Sequence, residues 1–294
     1  MLKHSLDKDW AVKRAVIIGA NSFIGKTLAK KLEQETFPVL LLARKDVDLT
    51  EDFADKKLAE LLQPTDTVIT IAAKAPCRNV DDFLENVKIT RCLTKALEAQ
   101  PAAHLLNISS DAVYPDEPLP LSEEVPAAPG SMHGAMHLAR EIALSGLGLP
   151  TVTLRPTLIY GASDPHGGYG PNMFRRKSNT PETITLFGEG EERRDHVSVD
   201  DVAELVKRVM LAGSTGILNI ATGAVTSFHD IAQMAVKMSG NKVKIVGSPR
   251  SGPMPHNGYR PFDTENTFKS FPDFRYTELS EGMALAQELE FGRG

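Results

Sequence analysis

The stretch Gly19-Ala-Asn-Ser-Phe-Ile-Gly25 holds residues whose types and spacing point most directly to chemistry. It follows a short apolar run, Ala15–Ile18, and opens what reads as a helix. Backbone N–H groups at a helix start, with the positive end of the helix dipole behind them, hold a phosphate. Two nucleotide chemistries share this outline. Read as Gly19-x-x-Ser22-x-x-Gly25, the stretch is a dinucleotide-binding turn. Read as Ala20-x-x-x-x-Gly25-Lys26-Thr27, it is a relaxed triphosphate-wrapping loop. The second requires a pliant backbone curled round the anion and an acid closing a later strand to hold Mg²⁺. Here Phe23 and Ile24 read as the first core-facing turn of a helix. The candidate strands end in Ala43-Arg44 and Ala72-Ala73-Lys74, with no carboxylate. The dinucleotide reading is the stronger one.

Arg44 sharpens it. This arginine stands nineteen positions beyond Gly25, at a strand end where an acid ordinarily binds the ribose 2′-hydroxyl of NAD. A guanidinium there attracts a 2′-phosphate, which favours NADP over NAD. The plainer alternative is a solvated arginine at a strand end. A second constellation, His133 and His137, has the spacing that sets two imidazoles on one side of a helix. As a metal pair it lacks an intervening glutamate and a nearby third ligand.

The elements that must position these residues are visible as short apolar runs: Ala15–Ile18, Val39–Leu42, Thr67–Ala72, His104–Ile108 and Thr151–Leu154. Near-continuous apolar strands belong to a sheet covered on both faces. Strands alternating with helical stretches predict an α/β fold with a parallel, doubly wound sheet. In 200–210, Val202, Leu205, Val206, Val209 and Met210 share one helical face. Ser227 with Asp230 starts a later helix that Gly240 closes. Beyond Tyr160 two turn-rich stretches, Gly161–Pro171 and Pro249–Pro261, predict long functional loops. These features divide the chain into a nucleotide domain over 12–160, with segments returning near 196–222, and a smaller substrate lobe formed by 161–195 and 223–294.

The 294 residues, 41% hydrophobic and 24% charged, suit an ordinary globular α/β protein. A net charge of −5 argues against nucleic acid or an anionic membrane as partner. The first ten residues carry charges where a signal peptide needs an apolar run, and no segment is apolar for the length of a bilayer. Cys77 and Cys92 show no metal or redox spacing, and the expected setting is a reducing, cytoplasmic one.

Taken in order, the motifs resemble the extended short-chain dehydrogenase/reductases, the nucleotide-sugar epimerase/dehydratase family, over nearly the whole chain. Gly19-x-x-x-Phe23-Ile24-Gly25 is similar to the family's cofactor turn, with Ser22 replacing its middle glycine. The resemblance implies contact with the cofactor from Gly19, Asn21, Ser22, Phe23, Ile24 and Gly25. Asp48-Leu49 resembles the acidic pair that reaches the adenine. Ala72-Ala73 resembles the small-residue strand end beside the pyrophosphate, and Asn86 the asparagine of the next helix. Ser109-Ser110-Asp111-Ala-Val-Tyr114 resembles the active-site serine strand. Leu154-Arg-Pro156-Thr157-Leu-Ile-Tyr160-Gly161 resembles the strand leading to the nicotinamide, which adds Pro156 and Thr157 to the cofactor contacts. Phe187-Gly-Glu-Gly190-x-x-x-Arg194-Asp195 through Asp200-Asp201-Val-Ala203 matches the run that supplies a diphosphate-binding arginine, and Asn219-Ile-Ala-Thr-Gly223 the strand that follows. The implied fold is a Rossmann-type sheet with a smaller C-terminal lobe. The implied cofactor is NADP, with NAD second, the implied substrate a nucleotide-activated sugar, and the implied assembly a homodimer.

One departure bears on chemistry. The family's tyrosine, with a lysine four residues later, falls on the helix Ser131–Glu141, where this chain has His133 and His137. None of Tyr114, Tyr160, Tyr169, Tyr259 and Tyr276 has a lysine four residues on. A tyrosine needs a neighbouring positive charge to bring its pKa from about 10 into range, whereas an imidazole already titrates near about 6.5. The expected roles are acid/base for His133 and neutral partner of the nicotinamide ribose for His137, which makes His137 a cofactor contact as well. The competing reading keeps the fold for binding alone, without catalysis.

Ser110 is expected to hydrogen-bond the reacting oxygen of a sugar. Asp111 resembles the acid of sugar dehydratases, but their following glutamate is Ala112 here, which argues against a standard dehydratase. Arg194 and Arg260 are expected to clamp a diphosphate; the alternative is surface ion pairs with Asp195 and Asp263. Asn172 is a further candidate for substrate contact. His104, His166 and His196 read as structural or solvated. No metal site is expected.

Overall fold

The computed structural model describes residues 2–5, 9–117, 119–165, 167–240 and 242–292. The first half alternates β1 (Arg14–Ile18), α1 (Phe23–Leu32), β2 (Val39–Leu42), α2 (Ala54–Leu61), β3 (Asp66–Thr70), α3 (Val80–Ala99), β4 (His104–Ile108), α4 (Met132–Ser145) and β5 (Thr151–Pro156). There follow β6 (Leu158–Tyr160), α5 (Pro171–Asn179), β7 (Ile184–Phe187), β8 (Arg193–Ser198), α6 (Val199–Leu211) and β9 (Gly216–Ile220). The chain closes with β10 (Val225–Ser227), α7 (Phe228–Ser239), β11 (Ile245–Ser248), β12 (Tyr259–Arg260), α8 (Glu265–Ser270) and α9 (Leu279–Phe291).

Six strands form one parallel sheet in the order β2-β1-β3-β4-β5-β9. The fold is α/β, a Rossmann-type doubly wound sheet. The chain leaves β1 for β2 on one side and comes back to β3 on the other. That reversal opens a crevice at the C-terminal ends of β1 and β3, where open α/β sheets bind ligands. Both faces are covered, which explains the near-continuous apolar strands. Leu28 and Leu32 of α1 and the Val202, Leu205, Val206, Val209 and Met210 stripe of α6 are buried against one face. Leu58 of α2, Leu93 and Leu97 of α3 and Leu144 of α4 are buried against the other. The predicted run Thr67–Ala72 ends early as a strand: the amides of Ile71 and Ala72 both donate to the Ile18 carbonyl (2.9 and 3.0 Å), which folds the chain end over the glycine turn.

A second sheet is centred on β8, which pairs parallel with β6 and β12 and antiparallel with β10. The short pair β7–β11 lies apart from it. Phe174 of α5, Phe228 and Ile231 of α7 and Met283 of α9 form a core of their own. Ser227 caps α7 by accepting from the Asp230 amide, and Gly240, at φ +66°, ends it. The stretch 161–170 is irregular up to Pro171, the first residue of α5. The stretch 249–261, predicted as loop throughout, contains β12. A strand of two residues shows no periodicity in a sequence, yet its pairing with β8 turns Arg260 inward.

Candidate functional site

The crevice at β1 and β3 is built mostly by the absence of side chains. Gly19 has φ +98°, and a Cβ on it would meet the Ala72 amide nitrogen at 2.7 Å. A Cβ on Gly25 would run into the Gly19 carbonyl. Ser22 stands where a third glycine is usual because it caps α1, its Oγ accepting from the Gly25 amide at 3.0 Å. Ile24 packs on the core, and this helical start at Phe23 is incompatible with a triphosphate-wrapping loop. The resulting groove, about 250 Å³ and open to solvent, is lined by Gly19, Asn21, Ser22, Arg44, Asp48, Leu49, Ala72 and Ala73, with Lys74 and Glu85 also on its wall. The glycine cradle and the helix start fit the diphosphate of a dinucleotide. Phe23, Ile24 and Gly25 stand behind the lining rather than in it.

Around the groove, polar side chains fix the backbone. Asn86 donates to the carbonyls of Lys74 (3.0 Å) and Asp82 (2.8 Å) and accepts from the Lys74 amide (2.9 Å), which ties the end of β3 to α3. Arg44 stands at the groove, its side chain 70% exposed, with Nε donating to Asp48 at 2.7 Å and Nη1 paired with Glu85 at 3.8 Å. Pro156, Thr157 and His137 are not among the groove-lining residues. The Thr157 hydroxyl is spent inside the protein, donating to the Asp195 carbonyl at 3.1 Å.

The histidine helix begins beside the serine strand. Ser131 caps α4 by accepting from the Gly134 amide at 3.1 Å. A Cβ on Gly134 would collide with the Ala112 carbonyl, so the start of α4 presses directly on the turn 111–113 that follows Ser110. His133 is half-buried. Its Nδ1 accepts from the Cys77 amide at 3.4 Å, which leaves the proton of the neutral ring on Nε2. Burial lowers its pKa from the ordinary histidine value, and the charge of Asp111 pulls the other way. His137 meets it edge-on, with ring centroids 4.7 Å apart. Burial, with His133 and Arg140 as lesser contributors, keeps His137 neutral far below its ordinary pKa, and its buried Nδ1 has no partner. The pair therefore offers one imidazole whose pKa is lowered and one whose pKa is lowered much further. Among the described residues, no cluster of three His, Cys, Asp or Glu side chains could hold a metal.

Ser110 accepts from the Ala112 amide (3.2 Å) and donates to its neighbour Asp111 (3.4 Å). Asp111 meets the arginines of β8 and β12, and the ion pairs with Asp195 and Asp263 weighed as an alternative are not the ones formed. Arg260 pairs with Asp111 at 3.0 Å and with Asp116 at 3.0 Å, not with Asp263, and donates to the carbonyls of Asp111, Tyr114 and Pro115. Arg194 approaches Glu192 (3.3 Å) and Asp111 (3.9 Å), not Asp195, and its Nε is buried without a partner. Neither arginine is on the surface. The Asp195 carboxylate instead accepts from the amides of Thr222 and Gly223. Asn172 is buried, accepts from the Gly161 amide (3.1 Å) and donates to Asp164 (2.9 Å), so these contacts tie Gly161 and Asp164 to α5. His104, buried with Nε2 2.7 Å from the Ser214 carbonyl, and His196, buried with Nδ1 3.2 Å from the Arg194 carbonyl, are structural as read. His166 lies outside the described residues.

Three functional features escaped the sequence. His256 closes the Asp116–Arg260 cluster, with Nδ1 2.5 Å from Asp116. Glu141 holds Arg155 (2.6 Å) and the Ser109 hydroxyl (2.5 Å), locking α4 to the ends of β4 and β5. Arg140 is the third. It lies seven residues past His133 and three past His137, a spacing that puts all three on one helical face and would have singled it out.

A family model described as the NAD dependent epimerase/dehydratase family matches residues 15–221. Among curated proteins, the chain is 29% identical over 250 residues to a UDP-glucose 4-epimerase of Mycolicibacterium smegmatis, covering 74% of this chain and 80% of that protein. Among solved structures it is similar to a UDP-glucose 4-epimerase of Thermotoga maritima with UDP-glucose, at TM-score 0.81 and 21% identity over 94% of this chain and 97% of that one. It is also similar to a GDP-L-fucose synthetase of Naegleria fowleri bound to NADP, at TM-score 0.84 and 17% identity over 97% and 96%.

Proposed function

The chain belongs to the NAD dependent epimerase/dehydratase family, and from that premise we propose that it is an oxidoreductase or epimerase of nucleotide-activated sugars in which His133 does the work of the family's tyrosine. The observation that carries the reading is the placement of His133. It is half-buried at the start of α4, its Nδ1 engaged by the Cys77 amide and its start packed on the turn after Ser110. A nicotinamide dinucleotide, held by the glycine turn and the Asp48–Leu49 and Ala72–Ala73 rims of the groove, supplies hydride chemistry when bound. The protein's part is binding and proton movement. With the 3.4 Å Cys77 contact released, the imidazolium of His133 gives its Nε2 proton to the sugar oxygen in reduction and is left as the neutral Nδ1–H ring, which takes the proton back at Nε2 in oxidation; the Ser110 hydroxyl orients that oxygen. His137, neutral and with a free ring nitrogen, meets the nicotinamide ribose. The second lobe, 161–195 and 223–294, takes the sugar nucleotide, with Arg194 and Arg260 turned toward its diphosphate once Asp111 releases them.

NADP is the proposed cofactor. Arg44 keeps two of its guanidinium nitrogens clear of the Asp48 contact and stands at the groove where the adenosine ribose would lie. A second reading, a cofactor- or nucleotide-sugar-binding protein without turnover, draws on one observation: Asp111 and Asp116 occupy Arg260 completely. The test is to load the protein with NADPH or NADP and add UDP-, GDP- and dTDP-sugars in turn, with and without their 4-keto forms. The oxidoreductase reading expects the nicotinamide absorbance to change with one sugar class. Binding of a sugar nucleotide with no absorbance change and no epimerised product would favour the second reading.

A further inference from the structure

Arg140 is fully buried on α4, yet among the described residues no carboxylate accompanies it. Its Nη1 donates to the Ala72 carbonyl at 2.9 Å and its Nη2 to the Thr70 carbonyl at 2.8 Å and to the Thr70 hydroxyl. Its Nε has no partner. Arg155 makes the contrast plain, since it is also buried but bound through Nε and Nη2 to both oxygens of Glu141. A guanidinium that only neutral carbonyls hold has not recovered its lost hydration, and removing a buried charge from its natural counter-charge is strongly unfavourable. Asn107, in register with Thr70 on β4, also leaves both amide atoms without partners. The polar layer beneath α4 is not closed by the chain itself.

Two contacts say where the charge acts. The carbonyl of Ala72 belongs to a residue that lines the groove and lies against Gly19. A hydrogen bond to that carbonyl polarises the peptide joining it to Ala73, and so strengthens the Ala73 amide as a donor at the groove. Arg140 also shares its helix face with His137, three residues earlier, whose ring contributes no fixed charge.

Resting on the nucleotide-binding reading above, we propose that Arg140 is a positioning residue of the dinucleotide site: clamped to the carbonyls of Thr70 and Ala72, it supplies from beneath the end of β3 the fixed positive charge that the two histidines do not, and the diphosphate of the bound dinucleotide is its counter-charge. The ligand chemistry it favours is thus an anionic diphosphate in the groove, not the adenosine.

The experiment compares Arg140→Met, Arg140→Gln and Arg140→Lys with the parent by fluorescence titration of NADPH, and by competition with ADP-ribose and with adenosine, after circular dichroism establishes that each is folded. The neutral variants should bind NADPH and ADP-ribose about tenfold or more weakly while adenosine binding stays unchanged, and Arg140→Lys should keep parental affinity. Arg140→Gln retains a donor for the strand-end carbonyls and decides the matter if Arg140→Met does not fold. A folded neutral variant that binds NADPH as tightly as the parent overturns the assignment. Equal losses for ADP-ribose and adenosine also overturn it, because they would report a change of shape and not of charge. A parent that binds neither NADPH nor NADH sinks the nucleotide reading itself, an outcome distinct from both.

Discussion

At the ends of β1 and β3 the molecule makes an anion site by removing side chains, whereas along α4 it fills the interior with ionisable ones. The glycine turn works through shape. Gly19 and Gly25 let backbone approach backbone where a single methyl group would not fit, and the Ser22 cap fixes the helix start behind them. The α4 face works through charge state. His133, His137 and Arg140 all titrate below their ordinary ranges, chiefly because they are buried, with Arg140 lowered to about 10. The glycine turn fails first through steric change. The α4 face responds to pH and to neutralisation.

The largest effect that separates the two comes from Gly25→Val. The branched side chain must displace the Gly19 carbonyl, and we expect a loss of about 3 kcal/mol in urea denaturation together with loss of dinucleotide binding at every pH. Parental stability and NADPH affinity in this variant would contradict a shape-built groove.

Next is acid sensitivity. Burial depresses the folded-state pKa of His104 and His137, and brings His196 to about 3. Groups lowered in the folded state give stability that is complete above the unfolded value, about 6.5, and is lost as pH falls below it. His196 alone should cost about 1.4 kcal/mol per pH unit below that point. Asp195 acts in the opposite sense: burial raises its pKa to about 6, so the folded state gains as pH falls from there toward the ordinary aspartate range. Urea midpoints should therefore fall as pH drops below about 6.5, and Asp195→Asn should steepen that fall below about pH 6. A midpoint that is flat between pH 7.5 and 5.5 would mean these histidines are not held neutral.

The smallest effect concerns the edge of the groove. Arg44→Ala should lower the preference for NADPH over NADH roughly tenfold, read from the two dissociation constants. An unchanged ratio would leave Arg44 as a strand-end arginine paired with Asp48.

How much of this was legible follows the same division. Strand-helix alternation, the α6 stripe from Val202 to Met210, the Ser227 cap and the glycine turn are local, and each is written in residues within a few positions of one another. Residues of the groove such as Asp48 and Ala72 could be named because the family resemblance marked them, and both line it. The charged interior was not legible in this way. Arg260 finds Asp111 across 149 positions, so the alternative partner Asp263, close in sequence, is not the one it meets. The contacts of Asn172 with Gly161 and Asp164 likewise depend on how the 161–170 loop folds back. Arg140 was passed over although its spacing sets it on the helical face of His133 and His137; what no local pattern shows is that the carbonyls of Thr70 and Ala72 hold it inside. His133 and His137 were found only because a family resemblance marked their positions.

The central claim is that His133 moves the proton. Its direct test is single-turnover oxidation of bound NADPH by the responding keto-sugar nucleotide, in the parent and in His133→Ala, across pH. The rate in the parent should fall as pH rises through a value below the ordinary histidine range, since reduction needs the protonated ring. His133→Ala should be slower by about 100-fold or more and should lose that pH dependence, with NADPH affinity unchanged. A His133→Ala protein that turns over at the parental rate with the parental pH profile would contradict the account.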